Sequence, residues 1–105
     1  MEQPNLSYIE NLSGGDKSFE QKLIAIIKEE FPNEKKTYFE NITANNYKLT
    51  AENVHKLKHK ISILDLEKSY EIAMAFENNL LEGNTKLQIE FESILLIITN
   101  YLHKL

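Results

Sequence analysis

The sequence contains no cysteine, only two prolines and only three glycines in 105 residues. Without cysteine there are no disulfides and no thiolate metal sites, and a reducing compartment suits the chain. With Pro4, Pro32, Gly14, Gly15 and Gly83 as the only strong breakers, long stretches are free to be helical. No basic run marks a nucleic-acid surface, and the formal net charge of −4 comes from both signs mixed along the chain. No run approaches the roughly 18 apolar residues of a membrane span; the longest, Ile94 to Ile98 among them, are short. The start, Met1-Glu2-Gln3-Pro4, has neither the positive region nor the apolar stretch of a signal peptide. The expectation is one soluble, cytoplasmic domain over residues 1–105, whether alone or as part of a larger protein, with no nucleic-acid or membrane partner.

Apolar residues recur at helical spacing almost throughout. Leu6, Ile9 and Leu12 suggest a short opening helix, broken at Ser13-Gly14-Gly15, with Asp16 capping the next. Phe19, Leu23, Ile26 and Ile27 form the face of that second helix. Pro32 is expected to interrupt it and to sit in the first turn of a third, from about Asn33 to Ala44, with Tyr38 and Ile42 inward. Thr50 is read as the cap of a fourth helix carrying Val54, Leu57, Ile61 and Leu64. Asp65 is read as the cap of a fifth, with Leu66, Tyr70, Ala73 and Leu80 inward and Gly83 ending it. Thr85 and Gln88 resemble a capping box before a last helix whose face is Leu87, Phe91, Ile94, Leu95, Ile98, Tyr101 and Leu102. The expected class is all-α: an up-and-down antiparallel four-helix bundle with one or two additional short N-terminal helices. Its apolar faces are used up internally, so a monomer is expected.

The candidate chemistry lies in Val54-His55-Lys56-Leu57-Lys58-His59-Lys60-Ile61-Ser62. At about 100° per residue, Val54, Leu57, Ile61 and Leu64 point one way and His55, Lys58, His59 and Ser62 another. An exposed imidazole is a nucleophile or base near neutral pH. A lysine one turn away can neutralise phosphate oxygens. The plainer account is a solvated basic helix face. Glu77 adds a second irregularity, because it interrupts the apolar stripe of the following helix, where a lone carboxylate is costly. At about 1.5 Å per residue, His55 and Glu77 lie some 15 Å and 18 Å from the connection at Asp65, at similar heights on neighbouring helices. Glu77 either orients the His55 ring through one nitrogen or turns outward or to a lysine such as Lys58.

These residues resemble the histidine phosphotransfer (HPt) family, whose motif reads approximately His-x-Leu-Lys-Gly-Ser followed by Leu-Gly. His55-Lys56-Leu57-Lys58 match its first four positions and Leu64 the later leucine. Leu6-Ser7-Tyr8-Ile9 through Ser13-Gly14-Gly15-Asp16 resembles the family's opening helix and Gly-Asp turn. Phe19 through Phe31-Pro32 resembles its next helix, and Leu80-Leu81-Glu82-Gly83 the close of the helix after the histidine. Glu77 falls where the family often has Glu or Gln. The resemblance implies that His55 accepts a phosphoryl group from a receiver-domain aspartate and passes it to another receiver. It implies that Lys58 stabilises the phosphate and that Glu77 orients the ring. No cofactor is implied, since the metal ion belongs to the receiver, and no autonomous kinase activity. Two positions depart from the pattern: His59 and Asp65 stand where the family has glycine. His59 either crowds the site or adds a donor to the phosphate, and Asp65 is read as a changed helix connection. A degenerate HPt-like bundle that docks a receiver or kinase without carrying phosphate is the alternative, with Ile63 as a docking residue if it does not pack under the opening helix. A metal shared by His55 and His59 is disfavoured, because no third ligand is evident and Lys58 would repel a cation. His103 has no motif around it.

Overall fold

Pro32 does not separate two helices. In the computed structural model, which describes residues 2–105, a single helix runs through it from Lys17 to Thr43. A proline inside a helix removes one hydrogen bond and crowds the carbonyl four residues back, at about 3 kcal/mol. Here Pro32 and Lys28 both face solvent, so water can serve the freed carbonyl. Ile27, Phe31 and Tyr38, buried before and after the proline, hold both halves of the helix to one core. The Asn33 side chain also donates to the Glu29 carbonyl at 3.2 Å, supporting the next turn.

The elements are α1 (Ser7–Ser13), α2 (Lys17–Thr43), α3 (Tyr47–Ile63), α4 (Glu67–Leu81) and α5 (Gln88–His103), with no strand among the described residues. α3 packs between α2 and α4, with its largest interface on α4; α5 lies against α4 and, less extensively, α2, and α1 rests on α2. The 27 residues of α2 span about 40 Å at 1.5 Å each, which accounts for most of the 44 Å long axis. Among the described residues no helix is long and apolar enough to cross a membrane.

Several helix ends differ from the expectation. Asn46, not Thr50, caps α3, accepting from the Leu49 N–H at 3.2 Å. Thr50 is buried inside the first turns, its hydroxyl donating to the Asn46 carbonyl at 2.7 Å. Asp65 does not cap α4. It takes φ +64° and closes α3, with Leu66 N–H on the Ile61 carbonyl (3.2 Å) and Asp65 N–H on that of Ser62 (3.0 Å). That left-handed position usually takes glycine or asparagine, and aspartate tolerates it. Asn45 (φ +58°) closes α2 and Gly83 (φ +75°) closes α4 with the same paired bonds. Thr85 and Gln88 form no capping box: α5 starts after Leu87 without a side-chain cap, and the Gln88 amide donates to Glu92 at 2.9 Å. Asp16 does cap α2, accepting from Phe19 N–H at 3.1 Å.

The inward faces of α3 and α5 are as the periodicity indicates: Val54, Leu57, Ile61 and Leu64, and Phe91, Ile94, Leu95, Ile98 and Leu102, are all buried. On the first two helices the pattern misleads, for Leu12, Phe19 and Ile26 are exposed. Ile63 is half-buried and packs against the core, so it is not a free docking residue. The rings of Tyr38, Phe76 and Phe91 meet at 5.2 to 6.4 Å between centroids and join α2, α4 and α5. The buried Tyr38 hydroxyl donates to Glu92 at 2.9 Å, and burial together with that carboxylate pushes the phenol well above its ordinary range. Lys60 is buried between α3 and α2, with its ammonium 2.8 Å from Glu30 Oε1 and 3.4 Å from Glu34 Oε2.

The N-terminus of α4 is capped from far away in sequence. Glu2 accepts from the N–H groups of Lys68 and Ser69, both at 3.0 Å. Burial pushes the Glu2 carboxyl up, but these bonds outweigh it and hold the group below its usual range. Folding therefore favours the ionised form. The stabilisation is complete above the unfolded-chain value of about 4.3 and is lost as pH falls through the lower folded value. Glu2→Ala is expected to cost about 0.5–1 kcal/mol at neutral pH, a fall of roughly 2–6 °C in Tm. Thermal unfolding of parent and variant should converge as pH falls below the lowered folded value, where the parent carboxylate is protonated. Equal melting temperatures at neutral pH would show that the cap contributes nothing.

Candidate phosphoacceptor site

His55 is carried on α3 by neighbours that cannot move: Val54 and Leu57 on either side of it are fully buried. Its own side chain is 55% exposed. Glu77 is carried on α4 beside Phe76, which is also fully buried. The close packing of α3 on α4 brings His55 Nδ1 to 3.1 Å from Glu77 Oε2. A carboxylate only accepts, so the hydrogen in this contact is carried by Nδ1. That choice of tautomer leaves Nε2 with a free lone pair, on a ring more than half open to solvent.

Glu77 contacts both His55 and Lys58. Its second oxygen, Oε1, lies 2.9 Å from Lys58 Nζ, an ion pair between side chains 11% and 19% exposed. This contact is Coulombic rather than a well-aimed hydrogen bond, since no donor points at Oε1 along a lone pair. The Lys58 ammonium also sits 5.7 Å from the centre of the Tyr70 ring, within cation–π range. Lys58 is thus not on the outer strip with His55, His59 and Ser62, where the wheel placed it. It is a buried residue whose long stem lies along the α3–α4 seam. His59 and Ser62 are exposed, and the His59 ring stands edge-on to His55, with centroids 5.4 Å apart and planes at 88°. His103 sits in the exposed last turn of α5 and takes no part in the cluster.

Beside His55 is a hollow of about 330 Å³ lined by Lys48, Ala51, Glu52, His55, Lys56, Glu77 and Leu81. Leu81, Leu49 and Met74 are exposed apolar side chains on the same two helices. Sequence reading gave no role to Leu81 beside His55 or to Tyr70 beneath Lys58. Tyr70 follows the core period of α4, and nothing in that period reveals that its ring face meets an ammonium. Among the described residues, no three histidine, aspartate or glutamate side chains are grouped to hold a metal ion. No family model, curated protein or solved structure matches the chain.

The arrangement makes Glu77 the joint between ring and ammonium. Glu77→Gln removes the charge that compensates a buried lysine and should cost about 1–3 kcal/mol. Adding Lys58→Met should recover part of that loss, because the double variant buries no unpaired charge. Nitrogen-15 spectra of the His55 ring should show the Nδ1–H tautomer in the parent and a mixture in Glu77→Gln. An unchanged tautomer would mean that Glu77 does not orient the ring.

Proposed function

We propose that this chain is a histidine phosphotransfer domain of a two-component phosphorelay, with His55 as phosphoacceptor. The observation that carries the reading is the His55–Glu77 contact: an exposed imidazole on one helix, held through Nδ1 by a carboxylate on the next. The motif His55-x-Leu57-Lys58 supports it, as does Asp65 at φ +64°, a left-handed turn where the family pattern has glycine. In this reading α2 to α5 form an up-and-down antiparallel four-helix bundle and α1 is the extra N-terminal helix. The domain acts as a cytoplasmic monomer, and its partners are receiver domains of response regulators or hybrid kinases.

The Nε2 lone pair of His55 attacks the phosphorus of a receiver's aspartyl phosphate. The N–P bond forms as the P–O bond to the aspartate breaks, and that bond's electron pair leaves with the aspartate carboxylate. The ring becomes more positive, and Glu77 accepting from Nδ1–H offsets this. The transition state is loose, so positioning and charge neutralisation supply most of the catalysis. Lys58 neutralises the phosphoryl oxygens by swinging its ammonium from Glu77, a rotation its flexible stem allows. Reversal on a second receiver completes the relay. The chain has no kinase activity of its own.

A second reading, docking of a receiver or kinase without phosphate, is favoured by one observation. His59 stands 5.4 Å from the acceptor ring, where a small residue would leave room for a partner. Incubation with a panel of phosphorylated receivers separates the two. Acid-labile, alkali-stable label on the parent that is absent from His55→Ala is the expected result. Glu77→Gln should transfer about ten- to a hundredfold more slowly. Binding without label in the parent, with label gained in His59→Gly, would establish the docking reading instead.

A further inference from the structure

We infer that His55 and His59 bind a divalent late transition-metal ion such as Zn²⁺, Ni²⁺ or Cu²⁺, and that the ion holds the phosphoacceptor nitrogen of His55 out of reaction. Three observations carry the first half. The spacing fits: an ion about 2.0–2.1 Å from two imidazole nitrogens at a near-tetrahedral angle holds the ring centres about 5 Å apart, and here they are 5.4 Å apart on successive turns of α3. His55 is also prepared as a ligand. Its Nδ1 is held at 3.1 Å by Glu77, the carboxylate–histidine pairing that fixes a metal-binding imidazole with the other nitrogen open. The objection from a repelling lysine falls as well, because the Lys58 ammonium is turned into the seam, 2.9 Å from Glu77 Oε1.

Both histidines are exposed, so an ion reaches them from solvent and keeps water in its remaining positions. Lys48 and Lys56 line the hollow beside His55 together with Glu52. Their net positive charge weakens the site, and the affinity is that of two imidazoles, not of a closed four-ligand cage. The second half rests on the proposed phosphotransfer. A metal-bound Nε2 has no lone pair to offer phosphorus, so ion and phosphoryl group exclude one another. His59, as the second ligand, is what makes the exclusion strong enough to matter.

Titration of the metal-free full chain with ZnCl₂ and NiCl₂, followed by calorimetry and by histidine ring resonances, tests the site. The expected result is one ion per chain, moving His55 and His59 together and leaving His103 unmoved. His55→Ala and His59→Ala should each weaken binding roughly tenfold or more, and Glu77→Gln, checked for folding by circular dichroism, about tenfold. Binding that His59→Ala leaves unchanged, or no binding at millimolar metal, overturns the site whatever the chain does with phosphate. Label transfer from one phosphorylated receiver, with and without Zn²⁺, tests the exclusion. Zn²⁺ should lower the labelling of the parent relative to its own metal-free level, with recovery on chelation, and should leave His59→Ala at its own metal-free level, whatever that level is. Equal suppression of both places the effect on the receiver and overturns the exclusion. Absence of label from every receiver overturns the phosphotransfer reading and the exclusion with it, while the titration still decides the metal site.

Discussion

A carboxylate at the seam of two packed helices stays ionised only if a cation comes with it, and in this protein the cation is Lys58. The ion pair lets Glu77 occupy a position that the apolar period of α4 reserves for a hydrophobic residue. Once Glu77 is fixed there, its other oxygen has one neighbour left to serve, the Nδ1–H of His55. The ring orientation, the tautomer and the open nitrogen all follow from a charge that could not be buried alone. The same pair draws the Lys58 ammonium inward, so that the outer strip beside His55 presents His59 rather than a lysine.

How much of this could be read from the residues depends on what each signal reports. Periodicity reports faces, and for α3 and α5, whose apolar stripes are dense, it placed the named residues in the core, except that Leu87 and Tyr101 are only partly buried against it. It failed for Leu12, Phe19 and Ile26, which are exposed although Ile9 and Ile27 on the same helices are buried. Residue types that serve both ends of a helix misled at the boundaries. Aspartate caps a helix start, as Asp16 does, and also tolerates the left-handed turn after a helix end, as Asp65 does. Pro32 was a local rule overridden by packing on both sides of it. Glu2 closing α4 was invisible, because nothing in a local pattern connects residues so far apart in the chain.

The candidate site was legible for a different reason. His55 and Glu77 each broke a pattern, and the heights of the two breaks matched across a short connection. The Lys58–Glu77 contact was among the alternatives, but the burial of Lys58 was not legible, because a wheel gives a direction for Cβ and not for the end of a long stem.

Lys60 gives α3, the helix that carries His55, a second clamp. Lys58 ties α3 to α4 through Glu77, and Lys60, on the neighbouring face, ties it to α2 through Glu30 and Glu34. A helix gripped by partly buried charge on two sides, over a fully buried apolar stripe, neither slides nor rolls without breaking both sets of pairs. Whatever rearrangement accompanies the chemistry of His55 is therefore left to side-chain torsions. Torsions of an exposed side chain such as His55 relax in picoseconds to nanoseconds, whereas shifts of whole helices take microseconds or longer. In the proposed transfer the chain meets a receiver already in its working shape, and reorganisation is confined to one imidazole and one lysine stem.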